Sequence, residues 1–153
     1  ISVRLVGSEM CIRDSTYSGH PVACAVALRV LEIYDRDEIF DRASTTGKYL
    51  QEQLSQFSSH PLVGEVRGSG LLAALELVPN KELNHQFKDG KVGGVAQKMA
   101  QDNGLLIRTV AGSSIGICPP LIITNNQIDE LIDKLGDALD KTFQYCQTYN
   151  LLT

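Results

Sequence analysis

The sequence predicts an α+β domain: an antiparallel sheet with helices packed on one face. Three observations carry that prediction. Apolar residues recur at helical spacing in four stretches, over 20–34, up to about Phe57, over 91–103, and from Thr124 onward. Four short β-prone segments, 63–67, 71–78, 105–110 and 114–118, fall into two pairs, each joined by only a few turn residues. Antiparallel strands accept such short connections and parallel strands do not. The order helix, helix, strand, strand, helix, strand, strand, helix then segregates helices from sheet.

Taken in order, helix 20–34 (HPVACAVALRVLEIY) opens on Pro21, whose missing N–H costs nothing in a first turn, with Ser18 or Gly19 expected to cap it. Its apolar residues, from Val22 and Ala23 through Leu31 and Ile33, nearly encircle it. A helix apolar on every side is buried on every side, so this one expects further protein around it. Asp35-x-x-Glu38 reads as a capping-box variant opening a second helix, which sets Ile39, Ala43, Leu50, Leu54 and Phe57 on one face. Ser58-Ser59-His60-Pro61 breaks it, and Gly68-Ser69-Gly70 is the expected hairpin turn between the first two strands. A polar loop over 79–90 leads to helix 91–103, expected to face inward through Val92, Val95, Ala96 and Met99 and to end at Asn103-Gly104. The second strand pair flanks Ala111-Gly112-Ser113 and stops at Pro119-Pro120. Thr124-x-x-Gln127 is a capping box for the last helix, which carries Ile128, Leu131, Ile132, Leu135, Ala138 and Leu139.

Composition narrows the function classes. A chain of 153 residues is about one domain. With 43% hydrophobic and 21% charged residues it is neither disordered nor fibrous. Eighteen acids against fourteen bases give a net charge of −4, which argues against a nucleic-acid footprint. No apolar run approaches the ~20 residues that span a bilayer, and no stretch reads as a signal peptide. Cys11, Cys24, Cys118 and Cys146 form no C-x-x-C pair, and His20, His60 and His85 stand at no metal-ligand spacing from them. They read as free thiols of a reducing, cytoplasmic compartment, with no metal site.

Residues 1–15 (ISVRLVGSEMCIRDS) show no sustained period, and Met10 to Asp14 back-translates to ATG-TGT-ATA-AGA-GAC, which resembles a transposon-end library adapter. The expectation is a non-native, disordered scar, with 16–153 as the tail of a longer protein.

Few residues offer chemistry. There is no glycine-rich phosphate cradle followed by Lys, and no Ser, His and Asp at triad-like spacing. Thr16 to Pro21 (TYSGHP) is a hydroxyl-bearing loop that feeds a helix start, and such ends attract anions, although capping by Ser18 explains the same residues. Arg108 closes the apolar run Leu105-Leu106-Ile107; a guanidinium there can hold a carboxylate through two parallel hydrogen bonds, or simply be a solvated strand end. Arg67, between Val66 and Gly68, reads as a structural ion pair or a rim residue.

In order along the chain stand Thr16-Tyr17-Ser18-Gly19-His20-Pro21-Val22-Ala23, Gly64-Glu65-Val66-Arg67-Gly68-Ser69-Gly70-Leu71, Gly104-Leu105-Leu106-Ile107-Arg108 and Pro119-Pro120-Leu121. This set resembles the C-terminal part of the class III pyridoxal-phosphate-dependent aminotransferases, particularly the ω-amino acid (amine):pyruvate group, over Thr16 to about Phe143. The resemblance implies a type I transferase fold, with 16–35 as an interdomain helix region and 36–153 as the small domain. It implies a homodimer with active sites between subunits, and pyridoxal 5′-phosphate as cofactor. Thr16 would reach the cofactor phosphate of the neighbouring subunit. Arg108 would grip a substrate carboxylate and swing aside for uncharged groups. The Schiff-base lysine of the family lies upstream of TYSGHP, so Lys48, Lys81, Lys88, Lys91, Lys98, Lys134 and Lys141 are not it, and this chain contributes no catalytic residue of its own. The turn Ala111-Gly112-Ser113 departs from the Gly-Asp turn common in the family. The implied reaction moves an amino group from an amine or ω-amino acid to a keto acid. Alternatives are an ornithine-, diaminopelargonate- or aminobutyrate-type branch, or a non-catalytic α+β dimerisation or binding module.

Overall fold

The computed structural model describes residues 19–82, 87 and 91–152. The chain divides between Ile39 and Phe40.

Among the described residues, the first unit carries the helix α1 (Pro21–Arg36). Pro21 takes the first turn as expected, but the cap is His20, in extended conformation and with no side-chain capping bond. Gly19 lies before it with φ of +74°, and Ser18 falls outside the described residues. The helix also runs past Asp35. The Asp37 N–H still donates to Ile33 O at 3.0 Å, and Glu38 turns the chain in the left-handed region with φ of +49°. Asp35 is therefore helical rather than a cap, and the expected box does not form; continuing α1 supplied backbone bonds that a cap there would have forfeited. No residue of α1 is buried, and Val22, Val26, Leu28 and Leu31 are 54–65% exposed.

The second unit carries a core of its own. The helix α2 (Ile39–Ser55) ends in a 3₁₀ turn over Gln56–Ser59. Strands β1 (Val63–Ser69) and β2 (Leu72–Leu77) follow, then α3 (Lys91–Asp102), β3 (Arg108–Val110), β4 (Ser114–Ile117) and α4 (Asn125–Thr148). The sheet is antiparallel throughout, in the order β1-β2-β4-β3, as expected of the fold class. The hairpin is tighter than its sequence suggests. Ser69 pairs with Leu72, so Gly68 and Ser69 belong to β1, and Gly70, at φ of +56°, starts the turn with Leu71.

Side-chain alternation splits the sheet into two faces. Ala73, Leu75 and Leu77 of β2 and Ile115 and Ile117 of β4 are buried, together with Leu50 and Leu54 of α2, Val92 and Ala96 of α3, and Ile128, Leu135 and Leu139 of α4. On the other face the register sets Arg67, Ala74, Gly116 and Arg108 in one row across all four strands. Glu65, Glu76, Ser114 and Val110 form a second row of that face.

The helix ends follow local rules. In α4 the expected capping box is present, Gln127 N–H donating to Thr124 Oγ1 at 3.4 Å and Thr124 N–H to Gln127 Oε1 at 3.0 Å. At the end of α3, Leu105 N–H donates to Ala100 O at 2.9 Å and Gly104 N–H to Gln101 O at 2.9 Å, with Gly104 at φ of +77°. That is a Schellman closure, and it delivers the chain into the segment before β3. The inward face of α3 is rotated from the expected one: Val92, Gly93, Ala96 and Ala100 are buried, while Val95 and Met99 are half-buried. Small residues there let the helix approach the sheet closely.

Two helical glycines separate propensity from packing. A Cβ at Gly47 would stand 2.6 Å from the backbone C and Cα of Gly70, against the β1–β2 turn. A Cβ on the exposed Gly94 meets nothing within 4 Å. Helix propensity alone would reward alanine at either site by up to about 1 kcal/mol. Gly47→Ala is expected to destabilise by about 1–2 kcal/mol net, because backbone must move. Gly94→Ala is expected to stabilise. Urea midpoints of the two variants in residues 40–153 check this, and shifts of the same sign contradict it.

Candidate functional site

The site grows from the edge of the sheet. Arg108 opens β3, one of the two edge strands, and pairs with Gly116 of β4. Gly116 carries no side chain, and Ala74 beyond it carries only a methyl, so the surface beside Arg108 is low. Pro119 and Pro120, which lack an N–H, follow β4 closely, and the ladder stops at the Arg108–Gly116 pair. β3 is accordingly shorter than the expected strand 105–110. Leu106, just before it, is 84% exposed.

Arg108 lines two concave surfaces. One is a cavity of about 880 Å³ walled by Leu105, Ile107, Ile117, Ile123 and Leu131, with Lys134 at its margin. The other is a groove of about 490 Å³ on the open sheet face, running past Gly116 and Ala74 to Arg67. The basic groups around them differ in their electrostatics. Arg67 Nη1 lies 2.9 Å from carboxylate oxygens of both Glu76 and Glu65. Those hydrogen bonds, to Glu76 first, push its pKa further above the ordinary arginine value. Lys134 is paired with Glu130, whose carboxyl it holds below the usual range. The Arg108 side chain makes no hydrogen bond or ion pair among the described residues. Of the cations lining these two surfaces, it alone has an uncommitted charge. A planar, permanently charged donor set beside apolar walls is suited to an anionic group on a small, partly apolar molecule.

The sequence-based candidates divide clearly. Arg67 is the structural ion pair expected of it. Thr16, assigned to a cofactor phosphate by the resemblance, lies outside the described residues, as does Cys11. His20 caps α1 only through its backbone. Cys24 and Cys118 are exposed free thiols, and Cys146 is buried, its pKa pushed up to about 11 by desolvation, which makes it a packing group and a poor nucleophile. Two groups that touch the Arg108 strand were missed. Gln97 reaches from α3 to Thr109, and Gly93 packs under the β3–β4 turn. A stripe of Gly93 and Gln97, four residues apart on one helix face, was the available signal. Among the described residues, no helix is long and apolar enough to cross a membrane.

Comparisons with known proteins cover most of the chain. The family model for class-III aminotransferases matches residues 4–139, a span that takes in 4–15. A putrescine–pyruvate aminotransferase of Pseudomonas aeruginosa is 46% identical over 128 residues, covering 83% of this chain and 28% of that protein. A γ-aminobutyrate transaminase 1 of Solanum lycopersicum, named as mitochondrial, is 44% identical and covers 83% of this chain and 25% of that protein. The chain thus spans about a quarter of the length of these curated relatives. Among solved structures, an ω-transaminase of Pseudomonas jessenii in complex with PMP superposes with a TM-score of 0.80 at 36% identity, covering 90% of this chain and 31% of that one. A transaminase solved with L-Ala gives a TM-score of 0.81 at 37% identity, covering 90% of this chain and 33% of that one. Sequence match, fold and motif order agree, and the chain belongs to the class III aminotransferase family.

Proposed function

We propose that this chain is the small domain, with its interdomain helix region, of a pyridoxal-phosphate-dependent transaminase that moves an amino group from an amine or ω-amino acid to a keto acid such as pyruvate. One observation carries the reading: Arg108 is a guanidinium without a partner among the described residues, on a cavity that Leu105, Ile107, Ile117, Ile123 and Leu131 also line. It is the group a transaminase needs to bind and orient the carboxylate of a keto acid, while Ile107, Ile117 and Leu131 exclude water from the carbon chain. For an amine that carries no carboxylate the same side chain turns out to solvent. The relatives named for a diamine and for γ-aminobutyrate match almost equally, at 46% and 44%, so both donor classes stay within the proposal.

Pyridoxal phosphate, when bound, supplies an electron sink at the carbon that carries the amine. The described cavity, with one uncommitted cation and apolar walls, suits a substrate carboxylate and its chain rather than that cofactor's phosphate and ring. We therefore assign this chain only a margin of the cofactor site, the Thr16 hydroxyl hydrogen-bonding the phosphate held by the other subunit of a homodimer. The anchoring lysine belongs to sequence upstream of Thr16, and the chain by itself is inactive. The uncovered apolar surface of α1 supports a larger assembly around it, and the exposed thiols suit a cytoplasmic setting.

The test is to read the genomic DNA upstream of codon 16 and express the protein it encodes. The reading expects an in-frame lysine preceded by an acid for the pyridine nitrogen, and amine-to-pyruvate transfer by a dimer. An upstream frame with neither residue, or a full-length protein that transfers no amino group, would overturn it.

A further inference from the structure

We propose that Gln97 is a positioning residue for the Arg108 carboxylate grip, acting through Thr109; the inference rests on the role proposed above for Arg108. β3 is an edge strand of three residues, joined to the sheet on one side only, by β4. An edge so short has little to hold it. Its free side is held by a side chain instead of a strand. Thr109 N–H donates to Gln97 Oε1 at 3.1 Å, and the Thr109 hydroxyl lies 2.9 Å from the same oxygen and 3.0 Å from the Gly93 carbonyl. One amide oxygen on α3 therefore stands where a fifth strand would pair.

The approach of α3 is built for this contact. A Cβ at Gly93 would lie 2.5 Å from Thr109 Cγ2 and 2.6 Å from Gly112 O, so only glycine lets the first turn of α3 reach the strand and its turn. At the other end of the helix, the Schellman closure at Gly104 sets the chain back toward its own helix four residues before Arg108. Strand alternation puts Thr109 on the α3 side and Arg108 on the open side. The clamp thus fixes the backbone beside Arg108 without entering the space a ligand would use. Without it, the ordering of β3 is charged to each binding event, and only to ligands that Arg108 holds.

The experiment uses the full-length enzyme, with steady-state kinetics for a keto acid and for an amine that carries no carboxylate. Gln97→Met keeps the side-chain shape and removes the acceptor. It is expected to raise KM for the keto acid about 3- to 10-fold, to leave KM for the amine and kcat within twofold, and to speed hydrogen exchange at the Thr109 amide. Thr109→Val, which removes the hydroxyl, should move KM for the keto acid in the same direction, and Thr109→Ser should restore it. In an Arg108→Ala background, Gln97→Met should add nothing. A Gln97→Met enzyme with unchanged keto-acid KM, or with both substrates and kcat impaired alike, overturns the positioning role. If Arg108→Ala itself leaves the keto-acid KM unchanged, the reading of Arg108 fails instead.

Discussion

Arg108→Ala in the full-length enzyme is expected to raise KM for a keto-acid acceptor about a hundredfold while changing kcat/KM for an amine without a carboxylate less than threefold. A paired guanidinium and carboxylate, held by two parallel hydrogen bonds in a cavity with apolar walls, contributes about 2–3 kcal/mol, and each 1.4 kcal/mol is a factor of ten. The charge is fully available because no carboxylate competes for it among the described residues, unlike Arg67 and Lys134. Arg108 is exposed and makes none of the core contacts, so its removal should leave folding intact. Arg108→Lys should recover only part of the loss, since an ammonium cannot reproduce the planar fork. Initial-rate kinetics with each substrate varied in turn measure the split. Equal losses for acid and amine would remove the assigned role.

Leu75→Ala is expected to cost about 3–4 kcal/mol of folding stability in residues 40–153. Leu75 is fully buried on the second strand of the sheet, in register between Val66 and Ile115. Leucine-to-alanine changes in cores cost about 2–5 kcal/mol, and the cost is largest where neighbours cannot collapse into the hole. Here the flanking groups are backbone-paired strands on both sides, which move little. Such a loss is a large part of the ~5–15 kcal/mol that holds a domain together. Leu72→Ala on the same strand is the control. Leu72 faces the open side at 63% exposure and should change stability by less than about 0.5 kcal/mol. Urea unfolding compares the two, and similar losses would mean that the assignment of the two sheet faces is wrong.

What was legible in the sequence was local. Thr124 and Gln127 stand three residues apart and form the box their spacing predicts. The stripe Ala43, Leu50, Leu54 and Phe57 and the strand pairs on either side of α3 rest on short periodic patterns, and they are present. Asp35-x-x-Glu38 has the same kind of spacing and failed, because α1 gained backbone bonds by running on and Glu38 could take the left-handed turn. Arg67 was legible only as an ion pair or a rim residue, because Glu76 comes beside it through the β1–β2 pairing. The Gln97–Thr109 clamp was not, since it joins two uncharged residues twelve apart that meet only after the chain reverses at Gly104. The roles of Gly47 and Gly93 were not legible either, since each lies in the close approach of a distant segment, Gly70 for the first and Thr109 with Gly112 for the second. Arg108 could be singled out as a strand-end cation, but its lack of a partner among the described residues is a property of the packed structure alone.

The most direct measurement is a crystal structure of the full-length enzyme with its cofactor and a bound carboxylate substrate analogue. The account predicts both terminal nitrogens of Arg108 within about 3 Å of the carboxylate oxygens, with Thr16 on the cofactor phosphate of the opposite subunit. A carboxylate held by other residues, with Arg108 in solvent and Thr16 remote from either cofactor, would contradict it.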